Sequence, residues 1–176
     1  MAAFVLIFAP ILGLFVIALL KKNTPTEPVD PATEVVDAGE AEALANLVAM
    51  EEADCERLLR RLMTSLGLEV VKWEATSEDA FELIARWPQE LIGGDYVVLF
   101  MRPPAGEPIE SKTMREFKEA AYELRALKGI FITTAQFSQE AHFVGEHYGV
   151  ELVDGARLVG LLRERMPSLL SQLERV

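Results

Sequence analysis

A few side chains in this sequence have types that could support chemistry. His142 and His147 are its two histidines, the residue type that binds transition metals and moves protons near neutral pH. They stand five apart, whereas neighbours on one helix face are three or four apart. The two imidazoles therefore point different ways and form no metal pair. Cys55 is the one cysteine, so no intramolecular disulfide can form, as suits a reducing compartment. In an apolar helical stripe it reads first as a small buried residue. Thr133, Thr134 and Ser138 gather hydroxyls where a strand runs into a helix, a place where free backbone N–H groups can hold a phosphate. Capping of that helix accounts for Ser138 as well. Trp73 and Trp87 could stack on bases, or pack at a core rim or an interface.

The elements that position these groups follow from apolar spacing. Leu44, Leu47 and Val48, then Cys55, Leu58, Leu59, Leu62 and Met63, recur at threes and fours and predict one long helix over 40–66, closed by Gly67. Residues 69–73 (EVVKW) and 80–86 (AFELIAR) predict two strands. Gly93, Gly94 and Asp95 predict a turn. The nearly continuous apolar run 96–101 (YVVLFM) predicts a strand buried on both faces, broken by Pro103, Pro104 and Gly106. Thr113 and Glu116 have capping-box spacing and open a helix with the stripe Met114, Phe117, Ala121 and Leu124, ended at Gly129. Residues 129–134 (GIFITT) predict another buried strand. Ser138 then caps a helix to His147 closed by Gly149, 150–153 is a strand, and Asp154 caps a final helix interrupted at Pro167 with a short helical tail to Val176. The order α-β-β-β-α-β-α-β-α, with βαβαβ alternation in its second half, predicts a mixed, partly parallel sheet with helices on both faces.

Residues 2–20 carry no charge. Nineteen helical residues span roughly 28 Å, close to the hydrocarbon core of a bilayer. Pro10 and Gly13 disfavour a soluble helix but are tolerated in a span. No basic residue precedes the run and no small-x-small cleavage site follows it, so the segment is expected to be a retained anchor rather than a cleaved signal peptide. Lys21 and Lys22 place the following chain on the cytoplasmic side of the inner or plasma membrane, with the N-terminus outside. Residues 21–39, rich in prolines and acids, read as a linker, and 40–176 as the folded domain. The net charge is −11; the first 22 residues contribute +2, so the remainder carries −13. Such a domain is poorly suited to hold DNA phosphates, which call for a basic surface. The charge favours a protein partner over nucleic acid.

The stretch 128–162 (KGIFITTAQFSQEAHFVGEHYGVELVDGARLVGLL) resembles the C-terminal half of Mrr-type restriction-endonuclease domains, with their Lys-Gly-apolar-Phe-Ile-Thr-Thr strand, Phe-Ser cap, and Asp-Gly opening the last helix. Upstream, Glu56-Arg57-Leu58-Leu59 through Leu66-Gly67-Leu68-Glu69-Val70 is similar to the family's first helix and its exit into a strand. Phe81-Glu82-Leu83-Ile84-Ala85 is similar to the strand that carries its catalytic acid. The resemblance covers roughly residues 52–165 and implies a restriction-endonuclease-like α/β fold, a mixed sheet flanked by helices, behind the transmembrane helix.

The family belongs to the PD-(D/E)xK nucleases, and the resemblance implies their chemistry. One acid, then an acid or glutamine on the next strand, bind Mg²⁺. A lysine two residues further lies on the same strand face, because side chains alternate with period two. Metal and lysine activate water and stabilise charge on the phosphate. Carried onto this sequence, the first acid is Glu82, one methylene longer than the usual aspartate. The second ligand falls on Leu99 and the lysine on Met101. Leucine offers no oxygen to a hard cation, and methionine no charge. Ser77-Glu78-Asp79-Ala80 stands where the family has a Gly-Asp-Gly-Gly-type approach. Glu56 matches an acid often found on the first helix. In some relatives the lysine migrates to a neighbouring helix, for which Lys112 and Lys118 are the candidates, and Glu107 and Glu110 in the intervening loop could lend a metal oxygen.

The expectation is therefore a non-catalytic nuclease-like domain, tethered to the bilayer through 2–20 and serving a protein partner or membrane complex, with no cofactor. The alternative is a metal-dependent endonuclease acting on foreign DNA with a relocated lysine, which would need Mg²⁺. DNA binding without cleavage is a third reading, and the charge opposes it. Helix 40–66 and the tail 167–176 are the candidate contact surfaces.

Overall fold

The computed structural model of the protein describes residues 38–88 and 93–174. The apolar run 2–20 and the linker up to residue 37 lie outside these residues. Among the described residues no helix is long and apolar enough to cross a membrane.

The single helix expected over 40–66 is two helices, α1 (Ala38–Val48) and α2 (Glu52–Ser65). Between them Glu51 is extended, with φ −66° and ψ 152°. The cause lies far along the chain. The buried guanidinium of Arg102 donates to the carbonyls of Leu47, Val48 and Met50, satisfying C-terminal carbonyls of α1 that a continuing helix would otherwise bond. Ala43 and Leu47 of α1 bury into the same core as Cys55, Leu58, Leu59, Leu62 and Met63 of α2. Both pieces therefore keep one apolar phase, and periodicity alone does not register the break. Gly67, at φ +83°, takes the left-handed turn after α2.

The sheet runs in the order β1 (Glu69–Ser77), β2 (Ala80–Arg86), β3 (Asp95–Met101), β4 (Lys128–Thr133), β5 (Glu151–Val153). The first two pairings are antiparallel and the last two parallel. β1 extends four residues beyond the expected 69–73. Its second half, Glu74–Ser77, is exposed, so it lacks the apolar alternation that would have announced it.

Two cores flank the sheet. On one face α1, α2, α5 (Gly155–Arg165) and α6 (Pro167–Leu173) pack over Phe81, Leu83, Ala85, Val98, Phe100 and Ile132. On the other, α3 (Ser111–Glu123) and α4 (Gln139–His147) pack over Val97 and Phe131, with Leu99, Met101 and Leu152 against the same cluster. No side chain of β1 or β2 joins this second core.

The expected capping box at Thr113 is not used. α3 starts at Ser111 behind Glu110, with no side-chain cap. Just ahead, Ile109 bridges Phe137, donates to the Gln136 carbonyl and accepts from the Ser138 N–H. That short pairing fixes where the helix begins, and Thr113 falls inside it. Leu124 is 47% exposed and leaves the apolar stripe. The helix ends through Arg125, at φ 52°, rather than at Gly129, which lies within β4. A side chain at Gly129 would stand 3.0 Å from the Phe117 ring. From β4 to Leu173 the sequence expectations hold, and residues 175 and 176 of the expected tail lie outside the described residues. Ser138 accepts from the Ala141 N–H at 3.2 Å, Gly149 has φ +69°, Asp154 accepts from the Arg157 N–H at 2.8 Å, and Pro167 opens α6.

Candidate functional site

The antiparallel register of β2 and β3 sets Glu82 directly opposite Leu99 and Ala80 opposite Met101. Residues paired across strands share a sheet face, and positions 99 and 101 share one by alternation. The three positions that the family resemblance singles out are thus brought together, on the face that α3 and α4 cover only from β3 onward. Parallel pairing continues the row from Leu99 to Phe131 and from Met101 to Thr133.

On β3 this row offers Mg²⁺ no ligand. Leu99 and Met101 pack against the second core beside Phe131, so the strand that would supply an oxygen ligand and a lysine supplies hydrocarbon. A hard divalent cation needs several oxygen donors, and among the described residues no three acidic, histidine or cysteine side chains converge to hold a metal.

The structure also adds two residues that the sequence reading missed. Glu74 on β1 lies directly across from Glu82, and Lys72, two residues earlier on the same face, holds Glu74 at 2.6 Å. The hydrogen bond and charge of Glu74, with a smaller contribution from Glu82, raise the Lys72 ammonium above its ordinary value. The hydrogen bond from Lys72, then its charge, lowers the Glu74 carboxyl. A Lys-x-Glu pair at strand spacing was visible in the sequence. It lacked meaning until the strand was known to lie beside Glu82.

The other predicted residues are not gathered here. Glu56 binds Arg60 at 2.7 Å on α2. Lys112 is exposed and pairs with Glu116 at 3.8 Å, while the Lys118 ammonium sits 4.4 Å over the Tyr148 ring. Glu107 and Glu110 are exposed in the loop before α3. His142 pairs with Glu146 at 3.5 Å, whereas His147 stacks on Phe143, so the histidines stay apart as their spacing requires. Trp73 stacks on Phe81 at 5.0 Å as a core-rim residue, and Trp87 is exposed after β2. The Thr133 hydroxyl accepts from the Ala135 N–H, and the Thr134 carbonyl lies 2.6 Å from where a side chain on Gly155 would begin. Ser138 caps α4 through the Ala141 N–H, so capping accounts for its hydroxyl.

Arg102, immediately after β3, organises the most connected polar cluster in the interior. It is 5% exposed. Besides the three carbonyls at the end of α1, its Nη1 meets the Cys55 sulfur at 3.2 Å and its Nη2 donates to the Glu78 carbonyl at 3.0 Å. Its backbone N–H donates to the Asp79 carbonyl at 2.8 Å, and its guanidinium lies 5.0 Å from the Phe81 ring centroid. Burial pushes the Cys55 thiol up, and the Arg102 charge offsets this only in part. The cysteine is a packed hydrogen-bonding neighbour rather than a nucleophile.

A family model described as restriction endonuclease, the Mrr catalytic domain, matches residues 47–162. Among solved structures the chain is similar to the DNA modification-dependent restriction endonuclease AspBHI, with 15% identity and a TM-score of 0.56 over 84% of this chain and 43% of that one. It is also similar to the MspJI restriction endonuclease in complex with a 27-mer oligonucleotide, with 18% identity and a TM-score of 0.38 over 77% and 31% of the two chains. The chain spans less than half the length of either endonuclease. No curated protein matches it.

Proposed function

The chain belongs to the Mrr-type restriction-endonuclease family, and we propose that within it this protein is a non-catalytic member, held at the cytoplasmic face of the inner or plasma membrane by residues 2–20 and serving as an interaction or accessory module of a membrane complex. One observation carries the loss of catalysis. Leu99 and Met101 stand opposite Glu82 and Ala80, where the family places an oxygen ligand and a lysine, and both pack into the second core. β3 then offers the row neither an oxygen ligand nor a cation, and of the carboxylates left, Glu82 and Glu74, the second is bound by Lys72. The net charge of −11 supports a protein partner rather than DNA.

The test is incubation of the full-length chain, in mild detergent, with plasmid DNA and Mg²⁺ or Mn²⁺. No cleavage is expected. Metal-dependent cleavage abolished by Glu82→Ala would overturn the proposal and favour the endonuclease reading. Lys72, on the face of Glu82, suits that reading's relocated lysine better than Lys112 or Lys118, which are engaged elsewhere. Purification from the native membrane tests the second half of the proposal: a stoichiometric membrane partner without nucleic acid is the expected result.

A further inference from the structure

The sheet has two edges of very different character. β5 is three residues long, and its Glu151 is held by Lys128 and Arg157. β1 is nine residues long and exposed over most of its length, with Val71 45% exposed. A long exposed edge presents unpaired backbone donors and acceptors to any strand that can lie beside it. Within β1 the register to β2 is unbroken from Lys72 to Ala75, with irregularities on either side. This regular stretch is the available pairing unit, and its charges have a particular symmetry. Lys72 and Glu74 flank Trp73 with opposite signs.

We propose that a second copy of this chain pairs with β1, antiparallel, about a two-fold axis at Trp73, joining two five-stranded sheets into one. In that register Lys72 of each copy faces Glu74 of the other. Cross-strand neighbours of opposite charge are attractive, and here the attraction occurs twice by symmetry. An unrelated strand would not need a charge pattern that is complementary to itself under reversal, and this favours a second copy as the occupant. The inference stands whether or not the chain cleaves DNA.

The test uses full-length chains in mild detergent, one population carrying a donor fluorophore and one an acceptor, read by resonance energy transfer. Wild-type copies should exchange and transfer at tens of micromolar. Lys72→Glu and Glu74→Lys each set like charges opposite one another at two places, so each alone should associate roughly tenfold more weakly. Both side chains are exposed, and circular dichroism should report unchanged folding. Mixing the K72E chain with the E74K chain restores both opposite-charge pairs, so transfer should return. The K72E/E74K double variant should also recover. Absence of transfer in the wild type, single variants that transfer as the wild type does, or a mixture that fails to recover would each overturn the proposal. Association driven by residues 2–20 would give the second of these results.

Discussion

The two halves of the sheet have different roles. β3, β4 and β5 lie parallel with helices over both faces, and adjacent residues such as Val97 and Val98 or Phe131 and Ile132 are buried on opposite sides. β1 and β2 are antiparallel and covered on one face only. Their other face carries Lys72, Glu74, Glu82 and Arg86. Strand β3 is the border. On the proposed reading, residues 99 and 101 would serve the open half in a working site of this family. Here they pack against the cluster around Phe131 and serve the covered half. On the proposed non-catalytic reading, apolar groups at these positions also add packing to the neighbouring layer, by which the scaffold would keep its fold without the chemistry.

Arg102 joins the halves, and removing it is the most direct way to break the relation. Arg102→Ala strips partners from the end of α1 and from the β1–β2 turn while leaving buried carbonyls unpaired. It should destabilise the protein by about 3 kcal/mol or more, measured by urea unfolding. Arg102→Lys should recover only part of this, because one ammonium does not span the Met50 and Glu78 carbonyls together as the forked guanidinium does. A loss below about 1 kcal/mol would show that α1 docks independently of β3.

The covered half was the more legible in the sequence, for a physical reason. Ser138, Gly149, Asp154 and Pro167 act through their nearest neighbours along the chain, and a local rule suffices to read them. β2 and β3 pair in register without a bulge, so Glu82 and Leu99 lie opposite one another as simple alternation would have them. Elsewhere in the molecule the decisive contacts are distant. The break between α1 and α2 depends on a residue more than fifty positions away, the start of α3 on a bridge from Ile109 to Phe137, and the neighbours of Glu82 on a strand whose exposed end has no apolar pattern. Local patterns favoured a capping box at Thr113, but tertiary pairing set the boundary elsewhere.

The tightness of the covered half can be measured against this. A methyl group at Gly155 would lie 2.6 Å from the Thr134 carbonyl oxygen, a backbone atom that cannot move aside alone. Gly155→Ala should cost about 2 kcal/mol through overpacking, although alanine favours helix over glycine. Asp154→Ala removes only the hydrogen bond to the Arg157 N–H and should cost about 1 kcal/mol. Thermal unfolding of the two variants should rank them in that order. The reverse order would mean that the corner between β4 and α5 relaxes readily.

The smallest expected effect depends on pH and contrasts the two sheet edges. At β5, partial burial pushes the Glu151 carboxyl up, but the hydrogen bond and charge of Lys128, with those of Arg157, outweigh burial and hold it below its ordinary value of 4.5. A carboxyl depressed in the folded state stabilises the protein above its unfolded pKa, and the contribution is lost as pH falls through the folded value. The Glu151 side chain is 34% exposed, so screening limits its worth, and Glu151→Gln should cost up to about 1 kcal/mol at neutral pH. The deficit should persist down to pH 4.5 and shrink below it, so that wild type and variant converge in acid urea melts. A deficit that stayed constant into acid would assign the role of Glu151 to packing. In that case Lys128 and Arg157 would close the β5 edge by covering it rather than by charge.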